Sequence, residues 1–208
     1  MCRTANPTPQ GCREDVLCGR FNEFFNHILS TRELNYYAML STADFIELKK
    51  VLSTVNNIIT LRVTDLFICK LERAGLVTSG QLAEIRHKID STSANANGYD
   101  IEYTGSGGKG ILAEIKCNIP VKEDAFGAAQ AAGIRKDIDR LFSGKPKSAI
   151  EDTSEYYKFM VLFDCGGGLS KAMDRIISAY EGAVQTISLE GGADTLSTDK
   201  VYVVYLPL

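Results

Sequence analysis

Asp100, Glu114 and Lys116 stand on two short alternating segments joined by a glycine-rich turn. The segments are Gly98-Tyr99-Asp100-Ile101-Glu102-Tyr103 and Ile111-Leu112-Ala113-Glu114-Ile115-Lys116-Cys117, and the turn runs Thr104-Gly105-Ser106-Gly107-Gly108-Lys109-Gly110. Read as an antiparallel hairpin, they put Ile101, Tyr103, Ile111, Ala113, Ile115 and Cys117 on an apolar face. Asp100, Glu102, Glu114 and Lys116 fall on the other. With the turn centred on Gly107, a symmetric register sets Asp100 opposite Glu114, with Cβ atoms about 5 Å apart. A slip of two residues would oppose Glu102 to Glu114 instead. Two carboxylates that close repel each other unless a cation is present. The arrangement is therefore a candidate divalent-metal site, suited to phosphodiester hydrolysis, in which a cation offsets developing charge and acidifies the attacking water. Mg²⁺ takes one or two carboxylates together with water and substrate phosphate. Asp100 and Glu114 would hold it, with the Ile115 carbonyl as third ligand and Glu102 as outer ligand of a second ion. Lys116 would orient the water and stabilise the pentacovalent phosphorus.

An Asp, a spacer of 13 residues and Glu-x-Lys on the following strand resembles the PD-(D/E)XK nuclease superfamily. Asp100, Glu114 and Lys116 occupy the motif positions, and Tyr99 stands where a proline often precedes the aspartate. The resemblance covers residues 98–118 by motif and extends to the C-terminus through the order of elements. It implies an α/β, restriction-endonuclease-like fold: a mixed central β-sheet flanked by helices, after a helical N-terminal region. It also implies a type II restriction-enzyme-like endonuclease that uses Mg²⁺, with Mn²⁺ as substitute, acts on DNA and works as a homodimer. In some members a polar residue on the next helix assists the site, a place that Gln130 would fill.

That helix also opens the densest basic stretch of the chain, Arg135, Lys136 and Arg140, followed by Lys145 and Lys147. Such a stretch suits DNA phosphate contacts. The plainer reading is a solvated helix face with Asp137 and Asp139 as salt-bridge partners. The plainer reading of the hairpin's charged side is likewise a solvated strand face. Against it stands an unfavourable acid–acid pairing where a Lys–Glu pair was available.

Other features carry less. The turn glycines lack the Gly-Lys-Ser/Thr ending of a phosphate loop, and a hairpin turn accounts for them. Cys165-Gly166-Gly167-Gly168 reads as a strand-to-helix turn. His27 and His87 are the only histidines, which disfavours a Ser-His-Asp hydrolase. Glu72 and Glu84 are conceivable extra metal ligands from a preceding helix. Six cysteines lack Cys-x-x-Cys spacing, so zinc is disfavoured and free thiols are expected.

The elements that must position the hairpin follow from periodicity. Residues 1–14 read as a loose arm and 15–90 as helices: one through Phe21–Leu29, one capped at Ser41–Asp44, another through Ile58–Leu71, and a short one after Thr78. A polar loop precedes the hairpin. Then come a helix over 124–142, a buried strand over 157–164, a helix through Ala172–Tyr180 and a strand over 201–206. About four strands are expected, with domains at 1–97 and 98–208.

With 208 residues, 45% hydrophobic and 24% charged, the chain has an ordinary globular composition. A net charge of −3 is mildly unfavourable for a nucleic-acid binder, although a metal-dependent nuclease must carry carboxylates. No leader and no apolar run of the ~20 residues needed for a membrane span stand out, so a cytoplasmic location is expected. The competing readings are a repair or junction-resolving nuclease, a catalytically silent nucleic-acid-binding module of the same fold, and an α/β protein with an unrelated small-molecule site.

Overall fold

In the computed structural model the residues described are 13–29, 34–92, 98–105, 109–120, 124–146, 148–164, 168–191 and 196–207. Cys2, Cys12, Cys165, Lys147, the turn midpoint at Gly107 and the Gly166-Gly167 pair lie outside them. Contacts divide the chain into two units, 1–54 and 55–208.

The first unit is aromatic and helical. It holds α1 (Arg13–Leu29), α2 (Tyr36–Met39) and the opening turns of α3 (Thr42–Arg73). Phe21 stacks within 4.7 Å of Phe25 and 5.4 Å of Phe45, and Tyr37 lies 5.6 Å from Phe45. Ser41 starts α3 as expected. Its N–H donates to Asp44 Oδ2 at 2.7 Å while Asp44 N–H donates back to Ser41 Oγ at 3.3 Å. Two helices were expected between residues 44 and 71, yet α3 is continuous. The segment Ser53-Thr54-Val55-Asn56-Asn57 holds weak helix formers but no proline or glycine, and nothing in it forces a break. At this length α3 is long and apolar enough to cross a membrane, contrary to the expectation that no segment would be. Its last turns, however, are packed into the core of the second unit through Val63, Phe67, Ile68 and Leu71.

The second unit is built on β3 (Tyr156–Asp164), whose apolar run Phe159-Met160-Val161-Leu162 is fully buried. A strand apolar on both sides belongs in the middle of a sheet covered on both faces. Among the described residues five strands form one sheet, in the order β1-β2-β3-β5-β4: β1 (Ile101–Tyr103), β2 (Gly110–Lys116), β4 (Val184–Thr186) and β5 (Val201–Pro207) surround β3. Only β1 runs antiparallel to its neighbour; β2–β3, β3–β5 and β4–β5 are parallel. The sheet is thus mixed and flanked by helices.

One face packs on the end of α3 and on α4 (Ser79–Ser91), through Phe67, Leu71, Leu82 and Ile85. Thr78 caps α4 with Gln81 in a reciprocal box. The other face packs on α5 (Ala128–Ser143) and α6 (Leu169–Ile177), through Ile134, Ile138, Leu141, Met173 and Ile176. Each such apolar side chain contributes about 1.5–3 kcal/mol on burial. Phe159 is at the centre, 5.3 Å from Phe67 across one face. Its truncation to alanine would cost about 3–5 kcal/mol.

The expected helix over 124–142 begins later, at Ala128, after a turn at Asp124. The strand β4 was not expected.

Candidate functional site

The hairpin register pairs Ile101 with Ala113, Glu102 with Leu112 and Tyr103 with Ile111. Continued by one residue, it sets Asp100 opposite Glu114, as a turn centred on Gly107 requires. Asp100 itself precedes β1. Its carboxylate replaces a ladder carbonyl: Ile115 N–H donates to Asp100 Oδ2 at 2.7 Å. Ile101, Tyr103, Ile111, Ala113 and Ile115 all join the core facing α3 and α4, while Leu112 joins the one facing α5 and α6. Glu114 and Lys116 alternate with the first set and therefore share the Leu112 side.

That side is no solvated face. Glu114 is only 3% exposed. A carboxylate so deep demands charge around it, and the surrounding elements provide it. Lys145, on the segment leaving α5, places Nζ against Glu114 Oε1. The same ammonium donates to the Gly98 carbonyl at 2.7 Å and lies 4.9 Å from the Tyr99 ring centre. On α5, Asp137 pairs with Lys116 at 2.5 Å and with Arg140 at 3.5 Å. Tyr99 OH donates to the Arg140 carbonyl at 2.7 Å, tying the hairpin's start to the helix's end.

The electrostatics follow from crowding. Burial, then the neighbouring charge of Asp100, pushes the Glu114 carboxyl up to about 7, against the pull of Lys145. Asp100 keeps solvent on one side, yet protein packed about its carboxylate raises its pKa too, against the Ile115 N–H, Lys116 and Lys145. Burial pulls the Lys116 ammonium down, but the hydrogen bond and charge of Asp137, with Glu114 and Asp100, outweigh it and leave it raised. Lys116 is thus held charged. Burial, with Glu114 and Glu102, pushes Tyr99 up to about 12.

Glu102 is placed differently from Asp100. Its Oε1 accepts from Tyr99 N–H at 3.1 Å and Ser148 Oγ at 2.8 Å, and Oε2 lies 3.7 Å from Lys88. A Cβ at position 98 would fall 2.8 Å from Oε1, so a side chain there would push the flexible end of this carboxylate aside. Glu102 is thus engaged in holding the hairpin to the 144–150 segment. With Asp100 it lines a cavity of about 490 Å³ bounded by Thr60 and Thr64 of α3 and Ile85 and Lys88 of α4.

Gln130 works at the start of α5. Its Oε1 accepts from Gly127 N–H at 3.1 Å and its Nε2 donates to the Ile119 carbonyl at 3.3 Å. Arg135 and Lys136 are exposed, whereas Arg140 is half-buried on Asp137. Glu84 accepts from Tyr103 OH at 3.2 Å and Glu72 from Ser79 Oγ at 2.6 Å.

Two residues of the cluster went unassigned in the sequence. Asp137 was weighed only as a surface partner, yet it lies on the inward stripe with Ile134, Ile138 and Leu141 and is 9% exposed. An acid on an apolar helical stripe was the available signal. Lys145 was grouped with the basic stretch, and no periodicity could show that it folds back onto Glu114.

Among the described residues no three His, Cys, Asp or Glu side chains group as a metal cage. The donor set of Asp100 and Glu114 is nonetheless chemically right for a hard cation, which prefers oxygen and accepts as few as two carboxylates. Glu114 Oε1 is buried, and the cation it meets is the Lys145 ammonium. The residues present fit a divalent ion. In comparisons with known proteins the chain matches no family model, no curated protein and no solved structure.

Proposed function

We propose that this protein is a divalent-metal-dependent endonuclease of restriction-endonuclease-like fold, acting on DNA through Asp100, Glu114 and Lys116. One observation carries the reading: the hairpin register, continued one residue beyond β1, opposes Asp100 to buried Glu114, and Lys116 follows two residues later on the same side of the strand. A sheet that spent this position on stability would have an apolar residue there. Instead two carboxyls have their pKa values raised by burial, and Glu114 also by the charge of Asp100.

Asp100 and Glu114 would hold Mg²⁺ or Mn²⁺, which when bound supplies charge neutralisation and an acidified water. The chain's own part is positioning. The Ile115 N–H fixes Asp100 at the strand end. Asp137 holds the Lys116 ammonium in its charged form, so Lys116 offers a proton donor to a phosphate oxygen or a water beside it. Arg135 and Lys136 are exposed on α5 and would contact backbone phosphates, contacts that position DNA without reading sequence. Arg140 has first to be shared with Asp137. Cutting both strands takes two sites, which makes a homodimer the working form.

Supercoiled plasmid incubated with purified protein tests this. Nicked or linear product is expected with Mg²⁺ or Mn²⁺ and none in chelator. Intact plasmid with both ions would remove the nuclease assignment.

A further inference from the structure

Lys145 is the one charged group of the cluster that the proposed chemistry leaves without a task. Its side chain is 11% exposed and its Nζ meets Glu114, the Gly98 carbonyl and the Tyr99 ring together. The chain turns sharply to bring it there. Gly144 ends α5 at φ +88, a backbone conformation that favours glycine, and its N–H bonds the Arg140 carbonyl. Ser148 then ties the segment down, its N–H to the Lys145 carbonyl at 3.0 Å and its Oγ to Glu102. A long, flexible side chain on a short turn can leave its pocket without moving the fold, as a core aliphatic cannot.

We infer that Lys145 is a tethered counter-ion that occupies the cation position at Glu114, and that a divalent ion must displace it to bind. This rests on the metal-site reading of Asp100 and Glu114. The physical basis is that Glu114 Oε1 faces one cation at a time, and an ammonium beside it repels an arriving divalent ion strongly at these distances. Lys145 thereby keeps the buried carboxylate compensated in the ion-free protein and sets how readily the ion enters. Lys145 is a positioning residue in this account, not a catalytic one.

Calorimetric Mn²⁺ titration of the full chain at pH 8.5 gives the test. Lys145→Met should tighten Mn²⁺ binding by about tenfold or more, while Lys145→Arg should stay near wild type. A second readout needs no variant: amine acylation followed by mass spectrometry. Lys145 should be protected without metal and become reactive with saturating Mn²⁺, relative to exposed Lys136. Glu114→Gln separates the two levels of the argument. If it binds Mn²⁺ as wild type does, the metal-site reading itself fails. If it loses binding but Lys145→Met binds no tighter than wild type, or Lys145 acylation is unchanged by metal, the displacement proposal is overturned and the metal site stands.

Discussion

Two lysines project to the same side of the sheet, and the protein treats them in opposite ways. Lys158, early on β3, is 3% exposed, and its ammonium bonds the Thr198 carbonyl. Burial lowers its pKa, and the distant charges of Asp152 and Asp199 do not offset it. Lys116, at the end of β2, is half-buried, and Asp137, Glu114 and Asp100 raise its pKa above the ordinary value. One lysine is tolerated, the other is provisioned. A cation paired with Asp137 and lying in the field of two further carboxylates is what the proposed function calls for, because packing alone would be better served by an aliphatic residue.

The sharpest break between the two is catalytic. Lys116→Ala is expected to lower single-turnover cleavage by ~10²–10³, the usual loss for one electrostatic donor. Lys158→Met should cleave like wild type. Equal losses in both would dissolve the distinction.

Stability against pH comes next. The Glu114 carboxyl sits at about 7 against an ordinary 4.5. Between those values the folded chain holds a proton that the unfolded chain has released. Its contribution is therefore full below about 4.5 and lost as pH rises through about 7, on the order of 3 kcal/mol without metal. Glu114→Gln should flatten that slope in chelator, measured by urea unfolding across the window. A slope unchanged by the substitution would place Glu114 in a more solvated setting.

A smaller effect tests what provisions Lys116. Asp137→Asn should lower the Lys116 pKa, read by NMR of its side-chain nitrogen, and cost about 1–3 kcal/mol by leaving its partner unpaired. Lys158→Met should instead be neutral or stabilising by about 1 kcal/mol at pH 7, since it removes a buried cation. The smallest expected change belongs to Lys136→Ala: roughly one unit less in the salt slope of DNA binding, with cleavage at saturating DNA unaffected.

Much of this contrast was legible in the sequence and some was not. The hairpin register followed from a symmetric glycine turn between alternating segments, and pairs of residues such as Ile101 and Ala113 obey it. The buried run of β3 and the helix-to-strand switch after residue 91 were visible as changes of period. Three-residue β4 was not, because Val184-Gln185-Thr186 is too short to show alternation and is defined by pairing to β5. The continuity of α3 was hidden by a polar, β-branched stretch that lowers propensity without ending a helix. Leu112 hinted that both sides of β2 were covered, since it interrupts the charged alternation, and it sits fully buried. The counter-ions were the least legible. Lys116 meets Asp137 across 21 positions and Glu114 meets Lys145 across 31, and no local pattern encodes such pairings.

The central claim is that the hairpin carboxylates hold a metal with which Lys116 cleaves DNA. It is tested most directly by soaking crystals with Mn²⁺ and locating the ion by anomalous scattering. The account predicts one strong peak bridging the Asp100 and Glu114 carboxylates, absent in Glu114→Gln crystals. Saturating Mn²⁺ with no peak at these residues, or a peak that persists at full height in Glu114→Gln, would contradict it.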